Sequence, residues 1–301
     1  MKRRRVVRVA VVLLLAVAGL AIGLDPDRRA LGWARGEPFF QGRAASAWRR
    51  ELRQSDEAGA AEAFNTLVAG KAEAVPVCAR VLRTAPEPEA RWRAADALGK
   101  IGKEAAPAGP DLVDALSDDD PLVRRVAARA IGELAPDVPG AIPALVAMFP
   151  DVEAIRAVAR FGPAGDEAVP ALVALFRHDD PTVRWQAVRA VGKIGRPAAP
   201  AVPELIQLTG SDPDPLVREH AAEAMGDIGP AAAAGVPALV KALHDPVARV
   251  RRDAVRSLGQ IGPAATAALA DVRAATEDPD PDVKAAATRA ARLIDPAGGP
   301  K

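Results

Sequence analysis

The sequence predicts an all-α protein, a superhelical solenoid of about eight two-helix units, and three observations carry that expectation. Half of the 301 residues are apolar, but aromatics make up only 3% and Tyr is absent. The core must therefore be built from Ala, Val and Leu, side chains that suit closely packed helices better than sheets. One segment recurs: ARWRAADALGKIG (90–102), LVRRVAARAIGELA (122–135), TVRWQAVRAVGKIG (182–195), LVREHAAEAMGDIG (216–229) and RVRRDAVRSLGQIG (249–262). Pro and Gly fall at fixed places in each copy, as helix starts and stops do.

The elements follow in order. Residues 1–24 hold five basic groups (Lys2, Arg3, Arg4, Arg5, Arg8) and no acid, and Val9 to Leu24 is sixteen residues without a charge. That pattern reads as a signal peptide or membrane anchor, with the bulk of the chain outside the cytoplasm. Small residues at Ala16/Ala18 and Ala21/Gly23 offer cleavage sites, and the cleaved and retained forms both stay open. If retained, residues 6–24 are the membrane contact, with Arg8 snorkelling. No Cys follows, which excludes a lipoprotein anchor. Residues 25–42 read as a spacer, 43–296 as the solenoid and 297–301 as a tail.

Within the solenoid, a column of Arg runs through Arg91, Arg124, Arg184, Arg218 and Arg251, with Lys284 in the final copy, at spacings of 33, 60, 34, 33 and 33. A Pro column precedes it: Pro76, Pro110, Pro143, Pro170, Pro203, Pro237. The gap of 60 contains a shortened copy at 141–162, with Asp151 in place of the Arg. Each first helix is expected to open on Pro, where the missing N–H costs nothing. It closes at an Asp/Pro turn such as HDDP (178–181). The second helix carries apolar residues at helical spacing, for example Val183, Ala187, Ala190, Val191 and Ile194. Gly195, Gly229 and Gly262 are expected as left-handed caps. Gly192, Gly226 and Gly259 lie inside the helix, where Gly is weakly helical, so their recurrence predicts close helix approach.

The Pro, the turn Asp (Asp118, Asp245) and the Arg early in the second helix give these units a specific resemblance to short HEAT-like repeats of the phycobilisome-lyase type. The likeness spans residues 73–296, seven units, with a degenerate eighth at 43–72. It implies a right-handed superhelix in which Asp and Arg columns form a polar ladder, the second helices line a concave face, and partners bind along that face. The final unit has Leu269 where the others have Pro, which suits a terminal cap.

The chemistry of known enzyme sites is missing from the sequence. There is one Cys and three His (His178, His220, His244), with no His–Glu dipeptide of the kind that di-iron HEAT-type hydroxylases use, no metal spacing, no Gly-rich phosphate loop and no G-x-S-x-G. Cys78 sits in an apolar helix and reads as a buried thiol. Outside residues 1–24 the chain is mildly acidic, which argues against a nucleic-acid binder. No cofactor and no metal are expected. The reading is a non-catalytic protein-interaction scaffold, a monomer. Two alternatives are a bilin lyase or isomerase-like enzyme, which would copurify with a chromophore, and a structural envelope component without a discrete ligand.

A partner face is expected along the second helices. One column reads Asp96, Arg129, Arg156, Arg189, Glu223, Arg256, Arg289; a second, one turn earlier, reads Trp92, Arg125, Val152, Trp185, Glu219, Arg252, Ala285; a third includes Arg160, Lys193 and Asp227. Arg125, Arg129, Arg156, Arg160, Trp185, Arg189 and Lys193 are thus candidate residues for a protein partner with an anionic segment, with Trp185 and Trp92 as aromatic anchors. The opposing explanation is pairing between repeats, Arg189 with Glu223 and Lys193 with Asp227. If the stripe binds a partner, Arg129 and Arg156 should lack acidic partners of their own.

Overall fold

The computed structural model describes residues 25–54 and 57–296, and they are almost entirely helical. They form two compact units, divided between Val138 and Pro139. The targeting segment expected at 1–24 and the tail at 297–301 lie outside the described residues. No described helix is long and apolar enough to cross a membrane.

The first unit opens on a short helix α1 (Arg29–Ala34) and a two-stranded antiparallel hairpin, β1 (Phe39–Phe40) and β2 (Arg43–Ala44). Residues 25–42, expected as a spacer, are therefore folded. Their anchor is Trp48, 1% exposed. Its Nε1 donates to the Phe40 carbonyl at 3.2 Å, and the Arg43 guanidinium lies 4.5 Å from its ring centroid. A buried indole with its N–H satisfied is a large apolar contribution. Three helix pairs follow: α2 (Ala45–Leu52) with α3 (Glu57–Ala69), α4 (Val75–Thr84) with α5 (Pro88–Ile101), and α6 (Gly109–Asp114) with α7 (Pro121–Leu134).

The second unit holds five pairs: α8 (Ala141–Val146) with α9 (Val152–Arg160), α10 (Val169–Ala174) with α11 (Pro181–Ile194), α12 (Val202–Ser211) with α13 (Pro215–Ile228), α14 (Val236–Ala242) with α15 (Ala248–Ile261), and α16 (Leu269–Ala274) with α17 (Pro281–Ile294). The eight pairs among the described residues are those the repeat pattern predicts. Pro76, Pro110, Pro170, Pro203 and Pro237 all stand in the first turn of their helix.

The Asp/Pro turns are held by the second helices they introduce. Asp120, Asp180, Asp214 and Asp280 each precede a first-turn Pro and accept backbone N–H bonds from the opening turn, as in Asp120 Oδ1 from Leu122 N at 2.8 Å. That carboxylate meets an unpaired donor and the positive end of the helix dipole. Asp151 has this same role for α9, accepting from Glu153 N at 2.9 Å. It does not stand in for the Arg. The shortened unit has lost the first turn of its second helix, and the Arg column went with that turn.

Two glycine columns separate by geometry. Gly195 sits at φ 72°, ψ −138°, with φ positive as expected but ψ far from the left-handed helical value. Essentially only Gly occupies that region. Gly259 is helical, and a Cβ there would stand 2.8 Å from the Ala290 Cα of the next second helix. The expected close approach is thus real. Gly259→Ala is expected to destabilise by about 1–3 kcal/mol through backbone displacement, although Ala is the better helix former by about 1 kcal/mol. Gly210, late in α12, has open space around its would-be Cβ. Gly210→Ala should therefore stabilise by about 0.5–1 kcal/mol. Thermal melts of the two variants check the contrast.

At the end of α17, Arg292 and Asp295 occupy the places that Gly259 and Gly262 hold in the preceding unit.

Candidate partner-binding face

The Arg column is structural. Arg218 reaches the next Asp/Pro turn with a two-pronged bond to Asp245, Nε to Oδ2 at 2.8 Å and Nη2 to Oδ1 at 3.1 Å. Its Nη1 donates to the carbonyl of Asp212 in its own turn at 2.9 Å. The Asp245 carboxylate also accepts Val247 N–H at 2.9 Å, which folds its turn. Arg184–Asp212 and Arg251–Asp278 repeat the arrangement in the second unit, and Arg91–Asp118 in the first. One planar guanidinium thus ties two turns together with its whole fork satisfied. Burial pushes the Asp118 and Asp245 carboxyls up, but the Arg hydrogen bond, the turn amide and neighbouring charge outweigh it and hold both below the usual range. At Asp278 the hydrogen bond from Arg251 is the largest effect, with the same result.

The candidate residues lie on the second helices and point away from the apolar columns. In the first unit Arg125 and Arg129 are exposed on α7. Arg129 Nη2 lies 3.0 Å from Asp96 Oδ1 on α5. Trp92, also on α5, carries the Arg93 guanidinium 4.8 Å from its ring centroid.

In the second unit Arg156 and Arg160 are exposed on α9. Arg156 Nη1 meets Glu153 at 3.0 Å, and its Nη2 and Nε lie 2.8 and 3.0 Å from the end of the buried Gln186 amide that accepts as oxygen. The expectation that Arg129 and Arg156 lack acidic partners is therefore corrected. Asp96 stands in the same column as Arg129, one repeat earlier. Glu153 stands three residues before Arg156 on the same helix face.

The rest of that face alternates in sign. On α11, Trp185 is half-buried and stacks on His220 of α13, with ring centroids 5.3 Å apart and planes at 25°. His220 Nδ1 lies 2.9 Å from Glu223 Oε2. That hydrogen bond holds the Glu223 carboxyl below its ordinary value against the opposing effect of burial. Lys193 Nζ meets Asp227 at 3.0 Å, as the inter-repeat explanation expects. Glu223 is occupied by His220, so it does not take Arg189. Arg189 is exposed and has no ion-pair partner among the described residues. On the other side of α13, Glu219 is buried, with Arg249 at 3.5 Å and Arg252 at 3.6 Å. Burial pushes the Glu219 carboxyl up, and Arg249 opposes it. The Trp185–His220 stack was missed by sequence reasoning. Its signal was the placing of His220 one position after the Trp column of the preceding unit.

No group of His, Cys, Asp and Glu among the described residues is arranged to hold a metal ion. Burial pushes the Cys78 thiol up to about 12, so it is inert at neutral pH.

Comparison with known families places this architecture. HEAT repeats match residues 151–202 and 202–292, a HEAT repeat matches 109–138, and a PBS lyase HEAT-like repeat matches 90–118. This is a HEAT-repeat protein. Its repeats form the α-solenoid fold class that the period of 33 predicts. Among curated proteins nothing matches the chain. Among solved structures, an engineered protein from a structural genomics consortium shares 22% identity at a TM-score of 0.52, over 84% of this chain and 89% of that one. It shows the fold alone. The complex of CpcE and CpcF of phycocyanin lyase from Nostoc sp. PCC7120 shares 20% identity over 84% of this chain and 94% of that one, at a TM-score of 0.42, too low to carry an argument. The lyase-type repeat at 90–118 nevertheless overturns one expectation. The absence of familiar catalytic motifs does not make this HEAT chain a non-enzyme, because its repeat type is named for lyases.

Proposed function

We propose that this protein is a repeat scaffold that docks a protein partner on the second-helix face of its second unit, with Trp185 and Arg189 at the centre. The observation that carries this reading is the contrast along that face. Arg156 and Lys193 are neutralised by Glu153 and Asp227, while Arg189, one helical turn after Trp185, is exposed and without an ion-pair partner among the described residues. Trp and Arg are among the residue types most enriched at binding hot spots. The partner segment is anionic, and it contacts Arg189 first, with Arg160 and Lys193 contributing at the rim. On the first unit, Arg125 and Arg129 belong to the corresponding second-helix face.

Arg189→Glu is expected to leave folding nearly intact, exposed charges being worth about 0–1 kcal/mol, and to abolish capture of a partner that the unaltered chain retains. Arg177→Glu, a reversal at an exposed residue following the first helix of the same pair, is the control. A partner retained by Arg189→Glu as well as by Arg177→Glu contradicts the assignment. The lyase-type repeat favours a second reading, a lyase-like protein that handles a bilin, and a visible chromophore on purification is its test.

We place the scaffold outside the cytoplasm, supported by the basic residues before Val9–Leu24. A reporter fused after Lys301 that works only in the cytoplasm is expected to be silent. Full activity would refute the topology.

A further inference from the structure

The first unit contains a second basic feature, and it is concave. Arg35, Glu37, Ser46, Arg49, Arg80 and Thr84 line a cavity of about 260 Å³. At about 30 Å³ per water, that is room for a small ion with part of its hydration shell. Three guanidinium groups and one carboxylate leave it net positive. The carboxylate is already engaged, since Glu37 Oε2 accepts Ser46 N–H at 2.8 Å and so caps α2. The Thr84 hydroxyl is engaged as well, donating to the Arg80 carbonyl at 2.7 Å.

The Ser46 hydroxyl and two of the guanidinium groups are not. Ser46 is 9% exposed, and its Oγ is buried with no hydrogen-bond partner. Arg49 Nε is buried without a hydrogen bond but is ion-paired with Glu87, whose equally unbonded Oε2 lies 3.7 Å away. Arg35 and Arg80 form no ion pair among the described residues. Buried donors are nearly always satisfied, so the orphan Ser46 hydroxyl, in a cavity with the unpaired Arg35 and Arg80, points to an anionic acceptor there. Guanidinium forks match the oxygens of a tetrahedral oxyanion.

We propose that this cavity binds an oxyanion of the phosphate class. Two sources share that chemistry, free inorganic phosphate and the headgroup of an anionic phospholipid. The second is suggested by the uncharged segment Val9–Leu24, which ends eleven residues before Arg35.

The test uses the full chain. Calorimetric titration with inorganic phosphate, at ionic strength fixed with chloride, is expected to give saturable binding at one site. Arg80→Gln should weaken it at least tenfold. Ser46→Ala should weaken it too, while the melting temperature without phosphate stays equal or rises, because an unsatisfied buried hydroxyl is removed. A parallel sedimentation with phosphatidylcholine vesicles, with and without phosphatidic acid, separates the sources. If Arg80→Gln loses only the retention that phosphatidic acid adds, the headgroup is the ligand. If phosphate binds and phosphatidic acid adds nothing, the ligand is the free anion. Absence of binding in both arms, or equal binding by the unaltered chain and both variants, overturns the proposal.

Discussion

Arg218→Met is expected to cost about 3–5 kcal/mol, because it strands a buried carboxylate. Asp245 has a side chain only 9% exposed, and Arg218 is 14% exposed. Removing the guanidinium leaves Asp245 with its turn amide alone and frees the Asp212 carbonyl of its donor. The double variant Arg218→Met/Asp245→Asn should recover most of the loss, since a neutral amide still accepts Val247 N–H. Urea denaturation of the two variants measures the difference.

The same ladder sets the acid limit of the fold. Asp118, Asp245 and Asp278 are held below their unfolded value. The stability they lend is fully present above the unfolded carboxylate value of about 3.9 and is lost as pH falls through their native values. The chain should therefore resist acid down to about pH 4 and lose stability below it. The Arg218→Met/Asp245→Asn variant should show a shallower loss over the same range. An acid profile unchanged by the double substitution would show that the Asp245 rung contributes nothing.

Leu172→Ala comes next, at about 2–5 kcal/mol for a cavity in a packed core. Leu172 is fully buried on α10, and Val183, on the second helix of the same pair, is buried at 5% exposure. Because repeats couple mainly to their neighbours, the damage should spread outward from this pair as partial unfolding. Hydrogen exchange should show α10 and α11 losing protection first. Unchanged stability would mean that the face assigned to the core is wrong.

Much of this fold was legible in the sequence because a repeat states each rule several times. The first-turn prolines, the Asp/Pro turns and the inward Gly column each recur at a period near 33, so a single ambiguous residue could not mislead. What was illegible lies where the repetition breaks. Asp151 aligned with the Arg column by counting back from the helix end, yet it is an N-cap, because the deleted turn came from the start of the helix. Residues 25–42 follow no repeat, and they are held by particular contacts such as Trp48 to the Phe40 carbonyl and Arg50 to the Pro26 carbonyl. The candidate face was half legible. Column reading finds Lys193 opposite Asp227, but the choice of His220 over Arg189 as the partner of Glu223 depends on side-chain reach, which no column records.

The measurement that bears most directly on the scaffold reading is site-specific photocrosslinking in cells that express the full chain. A photoreactive residue at position 189 is expected to give a discrete covalent adduct with one protein, weakened by added salt as an anionic contact should be, while the same residue at position 177 gives none. Adducts from 177 and none from 189, or none from either position, would contradict the assignment of this face as the docking surface.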